Sequence, residues 1–440
     1  MPNSIDTAHA TTSLVHHAQH TARTQAWKIA LSGLVTLAVA MGIGRFAFTP
    51  LMPMMLHEQL LDLPSAGWLA SINYFGYLTG GMLCVLQPWI AALIKRTKPV
   101  NAPRIVQGGL IVTGLLTLGM SAPWSVTWPA LRFMAGIASA VVLIYSSGWC
   151  LGRLEKLNAG SLGGVMYAGP GAGIVISGLS AGGFVAAGWS ASTGWLVFGL
   201  LALLLTAMVW RIYQLPAIVT STVKPPLHSA ADALSAGAVA ANRAPVHGRI
   251  EMTLLVIAYG LAGFGYIITA TFLPVIARQA LPGSIWIDLF WPLFGVAVVA
   301  GALLASRLPR AHDWRWRLIA AYVMQAAGVL ISLVWPSLAG FILGSILLGL
   351  PFTAITFFAM QEVRRLRPHA VASAIGLSTV SYGIGQVVGP ILVATLLRHS
   401  TTTSQGFGWS LSVAVAALLL GALIYGVSTR MYRIQSPWLT

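Results

Sequence analysis

Charge is what this chain has least of. Of 440 residues only 8% are Asp, Glu, Lys or Arg, and only nine are acidic, against roughly 25% charged in an ordinary soluble domain. With 57% hydrophobic residues and a mean hydropathy of +0.80, there is too little polar surface to cover a globular core, and a water-soluble fold is excluded. The two cysteines, Cys84 and Cys150, both fall in apolar runs. Two isolated thiols give neither a disulfide framework nor a metal cluster, and they read as small core residues. No glycine loop followed by Lys and Ser or Thr is present to cradle a phosphate, which argues against ATP-driven work within the chain. No apolar run pairs a nucleophile with a His base, and the ten histidines lie in tails, turns or run ends. Neither an enzyme nor a cofactor is expected. His16, His17 and His20 cluster in a polar tail that offers no supporting groups, so they read as solvated and no metal site is expected.

What the chain does have is apolar runs of about 20 residues, the length that crosses a bilayer. Twelve can be read, over 27–56, 64–94, 104–121, 128–150, 160–187, 193–213, 251–277, 285–306, 317–335, 339–362, 370–397 and 407–429. The fold class that follows is an all-α membrane protein of twelve transmembrane helices. Apart from Arg45, Arg132, Arg278 and Arg398, the other 21 of the 25 Lys and Arg lie in or beside the termini or the turns after even-numbered spans. The positive-inside rule then predicts an inner-membrane protein with both termini cytoplasmic. The net charge of +16 reflects this topology and some attraction to anionic headgroups; no nucleic-acid partner is expected. Trp27, Trp68, Trp128, Trp149, Trp189, Trp210, Trp286, Trp335 and Trp409 sit near run ends and read as interfacial anchors.

One long polar insertion, 214–250, divides the chain. The predicted organisation is a cytoplasmic tail over 1–26, a six-helix bundle over 27–213, the linker, a second bundle over 251–429 and a tail over 430–440. A shift of 221 residues superposes Gly42, Gly44 and Pro53 on Gly263, Gly265 and Pro274, and a shift of 213 superposes Gly136 on Gly349. Tyr167, Gly169 and Pro170 of span five have counterparts in Tyr382, Gly389 and Pro390 of span eleven. Parallel repeats of this kind place a substrate site near the midplane between the halves.

These residues resemble a known family. Twelve spans in two halves, the linker and the string LRFMAGIASA at 131–140 are similar to the major facilitator superfamily, and GPGAG at 169–173 resembles the Gly-Pro motif of its antiporters. MGIGRFAFTPLMPMM at 41–55 with AGWLASINYFGYLTGG at 66–81 resembles the YbfB/YjiJ-like branch. The resemblance implies a secondary transporter, with Arg132 and Gly136 in proton coupling. It also implies an acidic residue in the loop after span two, yet 92–104 contains none. Glu155 and Glu362, at the cytoplasmic ends of spans four and ten, are candidates to clasp basic turns instead.

Arg45 and Arg132 are permanent charges inside apolar spans, and such charges are functional candidates by default. Arg45 follows Gly42 and Gly44 and precedes Pro50 and Pro53, so its helix can bend. Its planar fork of donors suits a carboxylate or phosphate. The alternatives are that it snorkels to the surface or pairs with Glu58 or Asp62; Arg132 could snorkel past Trp128. No carboxylate is placed near the midplane, which favours an anionic substrate. Further candidate lining residues are Asn73, Tyr77, Tyr145, Tyr167, Tyr266, Gln325, Tyr382 and Gln386, each of which could equally serve helix packing. Gly169, Pro170, Gly389 and Pro390 are candidate hinges. The reading is a monomeric carrier in the lipid bilayer, moving a small organic anion such as a carboxylate with or against protons. Its rivals are export of an amphipathic drug-like compound, and a sensor or scaffold without flux.

Overall fold

The computed structural model describes residues 4–93, 101–216, 246–284, 286–309, 313–368 and 371–433. Among these residues twelve helices are long and apolar enough to cross a membrane. In chain order they are α1 (Thr21–His57), α2 (Leu63–Gln87), α3 (Ala102–Gly119), α4 (Ser125–Lys156), α5 (Gly160–Ala186) and α6 (Ala191–Gln214), then α7 (Gly248–Ala280), α8 (Ile287–Arg307), α9 (Trp314–Val334), α10 (Leu338–Leu366), α11 (Ala374–His399) and α12 (Thr403–Met431). Among the described residues there is no strand. Polar side chains start several helices: Asn101, Ser190, Ser337 and Thr402 each accept a hydrogen bond from an N–H of the first turn, satisfying donors that the helix cannot. Asp62 does the same for the Ser65 N–H. Its carboxyl is held below the ordinary range by Ser65, through hydroxyl and N–H.

Two edges differ from the apolar runs for one reason. α4 and α10 continue past residues 150 and 362 and carry Arg153, Lys156, Arg364 and Arg365 in their last turns, where cations complement the partial negative charge of a helix C-terminus. The polar tail expected over 1–26 is helical from Ser4 and continuous with α1. The side chains of His16, His17 and His20 lie outside the described ones, as do residues 94–100 and 217–245. Trp27, Trp68, Trp189, Trp286, Trp335 and Trp409 are exposed, but Trp128 is buried and its indole donates to the Ala122 carbonyl. It is a core residue, because the turn before α4 folds back over it.

The two six-helix bundles meet along α2 with α11 and α5 with α8. Ser71 of α2 donates to the Val387 carbonyl of α11 at 3.1 Å. On the other seam, a Cβ placed on Gly171 of α5 would stand 2.7 Å from the Gly295 carbonyl oxygen of α8, so only glycine permits this approach. A two-fold operation that exchanges the halves turns one seam into the other. Its axis passes between α1 and α7, where the Thr49 hydroxyl meets the carbonyl of Ala270, its own repeat mate 221 residues on, at 3.4 Å. α1 is the most enclosed span, with 83% of its most apolar stretch buried, while α3 and α6 have 33% and form the lipid-facing rim.

Candidate functional site

The site begins with a break in α1. Residues Ala38–Ile43 form a π-helix, the chain turns at 44–47, and a regular helix resumes at Phe48. Gly42 and Gly44 remove side chains from the turn, and Pro50 and Pro53 bring no N–H to the helix that resumes. The Thr49 N–H bonds the Phe46 carbonyl at 3.1 Å in place of that of Arg45, and the carbonyls of the turn need donors in a water-free interior. Arg132 of α4 supplies them, donating from Nη1 to the Gly44 carbonyl at 3.4 Å and from Nη2 to the Arg45 carbonyl at 3.2 Å, with Phe48 under its guanidinium at 4.9 Å. It is fully buried, so it does not snorkel past Trp128. Asn73 of α2 donates to the Arg132 carbonyl at 2.7 Å. It therefore belongs to the α2–α4 packing around this clasp.

With its backbone fixed, Arg45 points into the seam between the halves. Only 2% of it is exposed. Its guanidinium lies 4.2 Å from the Tyr77 ring, 4.8 Å from Tyr74 and 5.2 Å from Phe46. Across the seam, Tyr266 stacks on Tyr382, which stacks on Tyr259, and Phe352 packs edge-on against both Tyr266 and Phe46. Gln386 donates to the Tyr266 hydroxyl. Both Tyr266 and Tyr382 are within electrostatic range of Arg45. Tyr74 closes one end by a 3.0 Å hydrogen bond to Thr271 of α7.

The electrostatics of this cage are unbalanced. Nε and Nη2 of Arg45 are buried without a hydrogen-bond partner. Among the described residues no carboxylate pairs with Arg45 or Arg132: Glu58 accepts the Ala191 N–H at 2.6 Å, and Asp62 binds Ser65. Three cation–π contacts at about 1–2 kcal/mol each offset part of a desolvation cost of several kcal/mol. An anion on the free edge would complete the balance.

Not every residue singled out in the sequence gathers here. Arg45, Tyr77, Tyr266, Tyr382 and Gln386 do. Gln325 stands apart: it lies on α9, and its amide donates to the Leu348 carbonyl of α10 at 3.3 Å, satisfying a helix pair away from the seam. Tyr145 and Tyr167 are half-buried on α4 and α5, Tyr167 packing beside Cys150 and Met166 near the termini end. Tyr74, Tyr259 and Phe352 were missed. Tyr74 lies one turn from Tyr77, a spacing that could have marked it. At the candidate hinges, α5 is interrupted at Ala168, just before Gly169 and Pro170, whereas α11 runs unbroken through Gly389 and Pro390.

The expected acidic clasp takes another form. Glu155 is exposed and makes no ion pair among the described residues. Glu362 binds Arg365 at 2.6 Å and sits 3.7 Å from Arg315, which reaches Glu251 at 2.9 Å and both oxygens of Asp313 at 2.9 Å. Arg365 also bonds Glu251. This cluster joins α7, α9 and α10, and Arg315 also donates to the Ser428 carbonyl of α12 at 3.1 Å. It locks the second half to itself, and among the described residues it makes no ion pair with the first. Burial alone would raise the Asp313 carboxyl; the hydrogen bonds from Arg315 outweigh it and hold the group below its usual range.

A profile of the family described as "Uncharacterised MFS-type transporter YbfB" matches residues 37–426. A chloramphenicol resistance protein of Streptomyces lividans is 31% identical over 165 residues, a match covering 34% of this chain and 39% of that protein. The crystal structure of a point mutant of the nucleoside transporter NupG superposes with a TM-score of 0.66 at 15% identity, covering 91% of this chain and 99% of that one. A bacterial homologue of the human lysosomal transporter Spinster, inward-facing and unoccupied, gives 0.64 at 14%, covering 94% and 99%. At such identities the likeness establishes the fold.

Proposed function

We propose, from the premise that the chain belongs to the family of YbfB-type major facilitator transporters, that it moves a small organic anion, a carboxylate, by alternating access. One observation carries this reading: Nε and Nη2, the two unpartnered nitrogens of Arg45, form one edge of the guanidinium. That edge is the side-on fork that grips both oxygens of a carboxylate. The tyrosine rings on either side would hold an apolar or aromatic body, and Gln386 with Tyr266 would sort its polar groups. Arg132 keeps the broken backbone aimed. With both termini cytoplasmic, as the basic turns suggest, the bonds at Thr49, Ser71 and Tyr74 form the closed outer gate of an inner-membrane carrier. The functional unit is a monomer. A proton accompanying the anion can ride on the carboxylate itself, whereas one moving against it would need a carrier group on the protein.

A second reading has its own support. Similarity to a chloramphenicol resistance protein and the aromatic walls favour export of a neutral amphipath seated on the tyrosines. A thermal-shift screen of purified protein against small carboxylates and chloramphenicol, repeated on Arg45→Ala and Arg45→Lys, separates the two. For an anion carrier, a carboxylate stabilises the native protein, Arg45→Ala weakens its binding at least tenfold as two charge-assisted bonds go, and Arg45→Lys recovers only part. Stabilisation by chloramphenicol that survives Arg45→Ala would replace this reading with the exporter.

A further inference from the structure

The lipid-facing rim carries a second feature, independent of the central cage. α3 and α6 run side by side in opposite directions, joined where Gln107 donates to the Trp210 carbonyl at 3.0 Å and where Ser192 donates to the Ser121 carbonyl at 2.6 Å. Between them lies a groove of about 370 Å³ lined by Ile111, Leu203, Thr206, Ala207, Trp210 and Arg211. In its wall Ala207 adds only a methyl group, and beside it on α3, one turn before Ile111, Gly108 is exposed and an added Cβ there would meet nothing within 4 Å, so the surface continues open toward that end.

The groove has a charged mouth. Arg211 ends it on α6, and Arg104 lies on the Gly108 face of α3, one turn nearer the same end; both are exposed. Among the described residues neither takes part in an ion pair.

We propose that this groove binds an anionic phospholipid, with an acyl chain along Gly108, Ile111 and Ala207, the phosphate between Arg104 and Arg211, and the Trp210 indole at the interface. An apolar groove open to the bilayer is filled by an acyl chain whatever the headgroup. The choice of headgroup falls to the two guanidiniums, which attract a net negative lipid and gain less from one that carries its own ammonium. The arginine-to-Ile111 reach along α3 is seven residues, about 10 Å, which separates a headgroup from the upper part of a chain.

The test uses the full-length protein in detergent, with bound lipid counted by native mass spectrometry and thermal shift measured with phosphatidylglycerol, cardiolipin, phosphatidylcholine and glycerol phosphate. The two anionic lipids should be retained and stabilise, and phosphatidylcholine should do so weakly. Arg104→Gln with Arg211→Gln should weaken phosphatidylglycerol about 25-fold, at roughly fivefold per cation. Gly108→Leu should displace lipid of every headgroup, and Arg430→Gln, an exposed charge on α12, should change nothing. Equal retention of phosphatidylcholine and phosphatidylglycerol, or phosphatidylglycerol binding untouched by both groove variants, would overturn the site. Stabilisation by glycerol phosphate equal to that by the whole lipid would overturn the role of the groove.

Discussion

Arg45 and Arg132 look alike in the sequence, and the structure gives them different surroundings. Both are buried cations, but Arg132 donates from both terminal nitrogens to two carbonyls of the α1 break and leaves only Nε unpartnered, whereas Arg45 keeps the whole Nε–Nη2 edge free. Removing Arg132 would leave those carbonyls unpaired in an apolar interior, at about 1–3 kcal/mol for each group. Arg132→Ala is therefore expected to lower the melting temperature by several degrees and to weaken binding of the proposed carboxylate even though the Arg132 donors face the α1 carbonyls. Arg45→Ala should weaken binding with little loss of melting temperature. Equal melting losses in the two variants would sink the division of roles. The sequence made both residues visible because a charge in an apolar run stands out. It did not show which was free, since that depends on carbonyls exposed by a break in another helix. Nor did it show how α2 is rotated. Asn73 and Tyr77 were both marked, but Asn73 turns to α4 while Tyr74 and Tyr77 turn to Arg45. A span apolar on all sides offers little amphipathic signal to settle this.

Among the helices, the repeat was readable and its asymmetry was not. α7 keeps the glycines and one proline of α1, yet it is a single helix from Val246 to Ala280. The position matching Pro50 is Thr271, which retains its N–H and gives its side chain to Tyr74. One proline is tolerated in a packed membrane helix; two, three residues apart and following a glycine pair, accompany the break. The broken segment is held by close contact with α5. A Cβ on Gly42 would lie 2.3 Å from the Gly173 Cα, so Gly42→Ala must push backbones apart. We expect it to cost about 1–3 kcal/mol and to weaken carboxylate binding. Gly183, also on α5, has nothing within 4 Å of its added Cβ. There an alanine should be neutral or stabilising by up to about 1 kcal/mol, because glycine is a poor helix former. Thermal unfolding of both variants measures this, and an equal loss in both would refute the packing argument.

For the whole molecule the question is which end is closed and by how much. Thr49 with Ala270, Ser71 with Val387 and Tyr74 with Thr271 join the halves at the end opposite the termini. The Glu251–Arg315–Glu362–Arg365 cluster binds the other end of the second half internally, so that under the proposed alternating access that half would move as a unit about the glycine contacts of α5 and α8. If the closed end is held by a small surplus of such bonds, removing them should shift a population without unfolding either half. A buried hydrogen bond contributes about 1 kcal/mol net, so Ser71→Ala with Tyr74→Phe would change the balance of the two states by about thirtyfold. Spin labels at positions 60 and 286, one in each half beside the closed end and exposed in the native residues Leu60 and Trp286, would read this as a second, longer distance in the double variant. A saturating carboxylate should then redistribute the two distances only when Arg45 is present. A distance distribution identical to that of the native protein would mean that apolar packing, and not these bonds, sets the closed state.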